Sequence, residues 1–345
     1  MLFRSALLNV AMIRRKLLTP DLCTEMVRIG RRSDTIVFIC YLDSLADGAM
    51  VAELKRRLSK INIDGILDTN YIAELIRDKP RSLFKTSGTT ERPDIVAARL
   101  LEGRIALIAD GTPVVLTFPY LFSENFQSDE DYYLNYAIAS VGRVLRYICF
   151  FLSVSIPAVF IAAATYHKEL LPTSLALTVT QLRGGVPFPA FAECILLIFV
   201  FEILKETGVR MPQSLGHALS IVGGLVVGQA AVEARIISAP MLIIVALAGI
   251  SGLMIPRLKG AVFYFRIIFV CLSALFGLYG YIAGFTLMLI HILQLSSLGV
   301  SSTASLNSAD KRSLKDTFWR APWKNMHTRP IFCRNSVRME NKKSD

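Results

Sequence analysis

The sequence predicts two domains of different class, an N-terminal soluble α/β domain followed by a polytopic α-helical membrane domain. Charged residues are frequent up to about residue 136, whereas residues 144–298 form a nearly continuous series of apolar runs. The first run, residues 144–165, is long enough for a bilayer crossing, which takes roughly 20 apolar residues. A mean hydropathy of +0.49 beside a charged fraction of 19% is typical of such a composite chain. We expect the α/β domain at residues 1–125, an acidic linker at 126–143, membrane helices at 144–298 and a basic cytoplasmic tail at 299–345.

The α/β class follows from alternating strand and helix patterns. Residues 35–42, TIVFICYL, form a short apolar run rich in β-branched side chains, which predicts a buried strand. Pro93 suits the first turn of a helix that Gly103 ends. Asp110-Gly111-Thr112 separates two apolar runs and predicts a hairpin. The predicted elements are a strand at 35–42, helices at 50–61, 71–76 and 93–101, and hairpin strands at 104–110 and 113–118.

Six membrane crossings are predicted for the second domain. Its last apolar block, residues 261–298, would measure about 57 Å as a straight helix, too long for one crossing of a roughly 30 Å core. Gly277, Gly280 and Gly284 lie where this block could turn back as a hairpin. One long tilted helix, giving five crossings, is the alternative. The other spans are predicted near residues 144–166, 189–204, 216–234 and 237–255.

Basic residues flank these spans with a bias toward one side. Arg143 and Arg146 precede the first span, Lys205 and Arg210 follow the second, and three basic residues follow the fourth at positions 257, 259 and 266. The tail from residue 307 holds ten basic and four acidic residues. An even number of crossings places all of them on the cytoplasmic side, where basic residues accumulate.

The third span carries the candidate residues for a pore or a contact between subunits. Small residues recur there at helical spacing, which allows helices to approach closely in lipid. Gln229 and Glu233 lie four residues apart on a neighbouring face and could project together into water or toward a partner. Ordinary packing within the chain is the alternative. The candidates are Ser220, Gly224, Gly228, Gln229, Ala231 and Glu233.

A second candidate is an ion pair within the membrane. Glu193 lies near the start of the second span, and an ionisable group at membrane depth indicates a functional site by default. Arg183 precedes it by ten residues, across a Gly- and Pro-rich segment typical of an interfacial or re-entrant loop. The pair could instead be purely structural. Glu202 is out of phase with Glu193 on the helix and is expected at the interface.

Two further features have alternative interpretations. His291 lies deep in the last apolar block and could relay protons or simply pack with a hydrogen bond. Trp319 and Trp323, in WRAPW, suit a segment at the membrane interface or a partner-docking site.

Enzyme chemistry is not indicated. The GxSxG, HExxH, Walker A and GxGxxG patterns are absent, and the acidic residues form no recognisable catalytic pair. The six cysteines are scattered without a CxxC pair, so we expect no disulfide framework, metal or cofactor. No recognisable nucleic-acid-binding domain accompanies the basic tail.

Several segments resemble one known family in the order that the family shows. They are INIDGILDTNYIAELIRD at residues 61–78, ERPDIVAARLLEGRIALIADGTPVVLTFP at 91–119, FQSDEDYY at 126–133, GVPFPAFAE at 185–193, SIVGGLVVGQAAVEA at 220–234 and LKDTFWRAPWKNMHTRP at 314–330. The chain is thus similar to the A subunits of bacterial spore germinant receptors of the GerA type. Such subunits have a further N-terminal subdomain, and residues 6–17 resemble the helix that ends it, so we expect this chain to lack that part.

The resemblance implies a non-enzymatic subunit in the inner membrane of the dormant spore. It would work with a permease-like B subunit and a lipoprotein C subunit, and copies of the A subunit would form a ring around an ion path opened by nutrient. The alternatives are a secondary transporter, which should contain an inverted internal repeat, and a modulatory member of the same family that senses no nutrient.

Overall fold

The computed structural model describes residues 2–210, 224, 226, 228–304, 316–335 and 337–338. The chain divides into two compact units. The first unit comprises Met1–Val144 and His291–Asp345, and the second comprises Leu145–Ile290. The described part of the C-terminal segment therefore belongs to the same unit as the N-terminal domain.

An antiparallel sheet of five strands forms the centre of the first unit. The strands are β1 (Leu22–Ile29), β2 (Thr35–Leu42), β3 (Gly88–Thr90), β4 (Ile105–Ala109) and β5 (Val115–Phe118). Their spatial order is β1-β2-β4-β5-β3, with each neighbouring pair antiparallel. The predicted strand at residues 35–42 and the predicted hairpin, now β4 and β5, are confirmed. Strand β1 was not predicted, because Glu25 and Arg28 interrupt the apolar residues of this edge strand.

Helices cover both faces of this sheet. They are α1 (Ala6–Lys16), α2 (Gly48–Ser59), α3 (Thr69–Leu75) and α4 (Pro93–Leu101). Val37 and Ile39 of β2 pack with the buried residues of α2 and α3, whereas Cys40 and Leu42 pack with those of α1 and α4. The period of two along a strand thus divides the core into two layers. The α/β class predicted for this part of the chain is confirmed.

A short hairpin links the last membrane helix to the core of the first unit. It consists of β6 (Ser296–Ser297) and β7 (Val300–Ser301). Leu298 at its turn has a positive φ of 50°. Its side chain is buried in the core layer between the sheet and helices α2 and α3. The hairpin thereby joins the N-terminal core.

The second unit is helical. Two stretches of the described residues are long and apolar enough to cross a membrane, Tyr136–Thr165 and Pro256–Leu293. The helices are α5 (Tyr136–Thr165), α6 (Thr173–Arg183), α7 (Ala190–Arg210), α8 (Ala239–Leu253) and α9 (Lys259–Leu293). Most of the predicted third span lies outside the described residues, with helical residues at 224, 226 and 228–233.

Helix α9 turns back on itself at Gly277. The backbone of Gly277 is non-helical, with φ 61° and ψ −142°. The ring of Phe269 lies 5.8 Å from that of Tyr281 and 6.3 Å from that of Phe285. In a straight helix, residues 269 and 281 would be about 18 Å apart. The expected hairpin is confirmed, and its arms run antiparallel.

Glycines allow the two arms of α9 to approach closely. We predict that Gly280→Ala destabilises the hairpin by about 1–3 kcal/mol, because the added Cβ would collide with the carbonyl oxygen of Leu272 in the opposite arm. Gly260→Ala is the matched control, since nothing lies within 4 Å of its Cβ position. Thermal unfolding of the detergent-solubilised chain should show a lower midpoint for Gly280→Ala alone. Equal midpoints for the two variants would contradict this close approach.

Candidate functional site

The described part of the third span has two distinct faces. Gln229 and Glu233 are exposed, whereas Gly228 and Ala231 are half-buried. The polar side chains therefore point away from the rest of the chain. This arrangement leaves them available to water or to another molecule.

The small residues of the same span face the chain's own helices. Gly224, Gly228 and Ala231 line an apolar groove together with side chains of α7 and α8. A Cβ added to Gly228 would lie 3.6 Å from Leu242 in α8, which is ordinary contact distance. Ser220, the first residue of the predicted stripe, lies outside the described residues. The close approach that Gly228 permits is thus made within this chain.

Glu193 is buried in the second unit, with 1% of its surface exposed. Its Oε1 accepts hydrogen bonds from the backbone N–H and the hydroxyl of Ser238, both at 2.6 Å. Ser238 immediately precedes α8, so the carboxylate lies at the N-terminus of that helix, where the helix dipole favours negative charge. Glu193 thereby ties α7 to the start of α8.

Arg183 approaches the other oxygen of the same carboxylate. Its Nε lies 3.8 Å from Glu193 Oε2, within ion-pair range but too long for a hydrogen bond. The turn that brings it there includes Gly185, whose φ of 103° is a glycine conformation. Glu202 instead pairs with Lys205 at 2.6 Å, within its own helix. The structure therefore brings Arg183 and Glu193 together, and it leaves Glu202 apart from them.

Sequence analysis interpreted Arg266 as a marker of the cytoplasmic side, and the structure corrects this. Arg266 is 3% exposed and lies inside the second unit. Its Nε donates to the Ser153 carbonyl at 2.8 Å, and its Nη2 donates to the Ala248 carbonyl at 2.9 Å and to the Ser153 hydroxyl. One guanidinium therefore connects α5, α8 and α9. The signal available in the sequence was a lone charge inside the apolar block at residues 261–298.

Arg143 was likewise counted as a flanking charge, but it is fully buried in the first unit. Its Nε donates to Asp131 at 3.0 Å, and its Nη1 donates to the Asp316 carboxylate at 2.6 Å. Asp131 belongs to the segment FQSDEDYY, and Asp316 belongs to the segment LKDTFWRAPW. Arg143 therefore joins two distant segments through the first turns of α5. Tyr132 joins them directly, since its hydroxyl donates a 2.7 Å hydrogen bond to Asp316, 184 residues away.

A second buried cluster surrounds Glu124. Its Oε1 accepts a hydrogen bond from Arg104 at 2.6 Å, and Arg99 lies 2.9 Å from its Oε2. Burial alone would raise the pKa of Glu124, but the two guanidinium groups lower that pKa below its usual value. The carboxylate is therefore ionised at neutral pH and joins α4 to the chain that follows β5.

His291 has the surroundings of a packing residue. Its Nε2 lies 3.0 Å from the hydroxyl of Ser82, and its ring lies 5.9 Å from that of Phe84. Both partners belong to the first unit, so His291 anchors the end of α9 there. A proton relay through His291 is left without support from these contacts.

The described residues contain no cluster of three or more His, Cys, Asp or Glu side chains able to hold a metal ion. The cysteines are free. The buried charged groups instead bond to neighbouring helices and segments, as Arg143, Glu193 and Arg266 do.

Comparison with known proteins identifies what the chain is similar to. The family described as Bacillus/Clostridium GerA spore germination protein matches residues 4–332. Spore germination protein KA of Bacillus subtilis is 44% identical over 91% of this chain and 58% of its own length. An uncharacterized membrane protein of the same organism, YfkQ, is 41% identical over 93% of this chain and 63% of its own length. The chain thus spans less than two thirds of the length of either relative.

A solved structure also matches. It is the crystal structure of the N-terminal domain of the A subunit of the Bacillus megaterium spore germinant receptor GerK3. The match has 45% sequence identity and a TM-score of 0.30, and it covers 35% of this chain and 96% of that one.

Neutralising Glu124 should destabilise the first unit. Glu124→Gln removes the buried carboxylate shared by Arg104 and Arg99 and leaves them paired with Glu102, at 3.1 and 3.6 Å. Breaking a buried pair typically costs about 3–5 kcal/mol. We expect a lower unfolding midpoint at pH 7. Tryptophan fluorescence measures it, because both tryptophans lie in this unit. Asp34→Asn is the control, since this carboxylate is 57% exposed, pairs with the exposed Arg28 and should contribute little.

The stability of the Glu124→Gln variant should depend less on pH in the acid range than that of the unmodified chain. Because the pKa of Glu124 is lowered in the folded state, its ionisation stabilises the fold above the unfolded value of about 4.3. That contribution disappears as the pH falls through the folded pKa. Glu124→Gln should therefore lose less stability than the unmodified chain between pH 7 and pH about 3. A parallel loss in both proteins would show that Glu124 titrates normally.

Glu193→Ala should destabilise the second unit much more than Glu202→Ala. Removing Glu193 leaves Arg183 and the start of α8 without a buried carboxylate, whereas Glu202 makes only a partly exposed pair with Lys205. Glu193→Gln separates charge from hydrogen bonding, because the amide oxygen can still accept from Ser238. The measurement is the yield and melting midpoint of the purified chain. Equal values for the two alanine variants would exclude a stabilising role for the Glu193 contacts.

Proposed function

The chain belongs to the Bacillus/Clostridium GerA spore germination protein family, and from this premise we propose that it acts as the A subunit of a germinant receptor. It has no enzymatic activity. It works with a permease-like B subunit and a lipoprotein C subunit in the spore inner membrane. Copies of the chain assemble into a ring and form an ion path that nutrient binding opens.

Six crossings suit this function, with the soluble unit and the tail in the cytoplasm. The hairpin in α9 supports them, because it divides one apolar block into two antiparallel arms. We assign three more crossings to α5 and to the less apolar α7 and the shorter α8, and the sixth to the third span predicted at residues 216–234. Contacts of α7 agree with this count: Glu193 near its start meets the residue before α8, and Glu206 near its end lies 3.1 Å from Lys259 at the start of α9.

The observation that carries the ion path is the uncovered polar face of the third span. Gln229 and Glu233 are exposed, while Gly228 packs against Leu242 of the same chain. An exposed carboxylate on a membrane helix is unfavourable in lipid and is normally found facing water or a partner. A ring of such helices would bring several Glu233 carboxylates around one axis, an arrangement that favours cations.

Changes on this face should alter conduction while leaving assembly intact. We expect Gln229→Ala and Glu233→Gln to change the ion current of the reconstituted chain, with Glu233→Gln lowering the preference for cations. Gly224→Leu and Gly228→Leu should instead reduce the yield of folded chain, because a leucine side chain would fill the groove that this span forms with α7 and α8. Planar-bilayer conductance measures the current, chemical crosslinking measures assembly, and size-exclusion chromatography measures the folded yield.

Thr286→Val in α9 is a suitable control for the conduction measurement. It removes an exposed hydroxyl that bonds only to its own helix, so it should change neither current nor oligomer. Unchanged current in both Gln229→Ala and Glu233→Gln would remove the third span from the ion path.

A further inference from the structure

Two tryptophans, the only ones in the sequence, lie exposed on the C-terminal segment of the first unit. Trp319 is 64% exposed and Trp323 is 58% exposed, and the neighbouring Phe318 is 38% exposed. Contiguous exposed apolar side chains of this size usually mark an interaction surface. We call Phe318, Trp319, Trp323 and the adjacent Lys324 the tryptophan patch.

The patch is held in place from beneath by Arg320. This buried side chain donates through Nη1 to the carbonyl oxygens of Asp131 and Leu134, both at 2.7 Å. Its guanidinium also lies 5.4 Å from the ring of Trp323 and 5.7 Å from that of Tyr132. The tryptophans are therefore outward-facing side chains on an anchored segment.

The same segment is attached to the start of the first membrane helix. The backbone N–H of Arg320 donates to the hydroxyl of Ser140 in α5 at 3.0 Å. Ser140 precedes the apolar run that begins at residue 144 by about 6 Å along the helix axis. This contact places the patch close to the level at which α5 enters the bilayer.

The chemistry of the patch matches a lipid headgroup layer. Tryptophan side chains concentrate at membrane–water interfaces, where an apolar ring carries one polar N–H. Lys324 is exposed, and residues 317–326 contain no acidic side chain that anionic headgroups would repel. Exposed apolar side chains on the first two turns of α5, Ile138 and Val141, occupy the same level of that helix.

We infer that the tryptophan patch inserts into the anionic headgroup layer of the membrane that α5 spans. Together with the bond from Arg320 to Ser140, it fixes the depth at which α5 enters the bilayer. The inference does not depend on the chain forming an ion path.

Because the chain has no other tryptophan, its fluorescence reports on this surface alone. The full chain is reconstituted in vesicles whose lipids carry bromine either near the headgroup or near the end of the acyl chain, with and without anionic lipid. We expect the shallow bromines to quench the emission more than the deep ones. Trp319→Phe and Trp323→Phe, each leaving one tryptophan, should both retain this order.

The control is Met26→Trp in a chain that carries Phe at positions 319 and 323. Met26 is 55% exposed on β1, beside Glu25 and near Arg28, charged residues that favour water over lipid. Bromolipid should not quench it. Lys324→Glu should reduce quenching in anionic vesicles, and equal quenching with and without anionic lipid would contradict the role assigned to headgroup charge.

Two results would overturn the inference. Emission that bromolipids leave unchanged but that iodide in the buffer quenches would place the patch in water. Emission shifted to shorter wavelength yet insensitive to both quenchers would place it in a protein contact, with another copy or with a partner subunit.

Discussion

Buried ionic groups connect segments that are far apart in this sequence. A charge removed from water is stable only when hydrogen bonds or an opposite charge replace the lost hydration. Arg143, Glu124, Glu193 and Arg266 are each nearly inaccessible, and their contacts come from several parts of the chain. Each of them therefore fixes an arrangement that apolar packing alone, which is not directional, would leave free.

Helix α5 illustrates this constraint within both units. Its first turns belong to the first unit, where Arg143 bonds to Asp131 and Asp316. Further along, Ser153 accepts from Arg266 in the second unit. Within either unit, rotation of α5 about its axis would break these hydrogen bonds and leave a buried guanidinium unsatisfied.

The described part of the third span makes apolar contacts with the rest of the chain. The described part packs its glycine side on Leu242 and leaves Gln229 and Glu233 exposed. No directional bond of the kind that Arg266 makes is shown there among the described residues.

Local patterns in the sequence determined the elements. Apolar runs, Pro93, and Asp110-Gly111-Thr112 predicted the main strands and helices, because strand and helix periods and turn conformations depend on neighbouring residues. Gly277, Gly280 and Gly284 indicated a hairpin in α9, and the structure places the turn at Gly277, whose positive φ favours glycine. The proximity of Arg183 to Glu193 could be proposed because only ten residues separate them.

Only the tertiary structure decided the partners of the remaining charges. Arg143 and Arg266 have the sequence context of flanking basic residues, yet one pairs with a carboxylate 173 residues away and the other bonds to carbonyls on two other helices. Edge strand β1 was missed because Glu25 and Arg28 interrupt its apolar residues, and its strand character depends on pairing with β2. Such contacts depend on distances in space, and a sequence pattern encodes only distances along the chain.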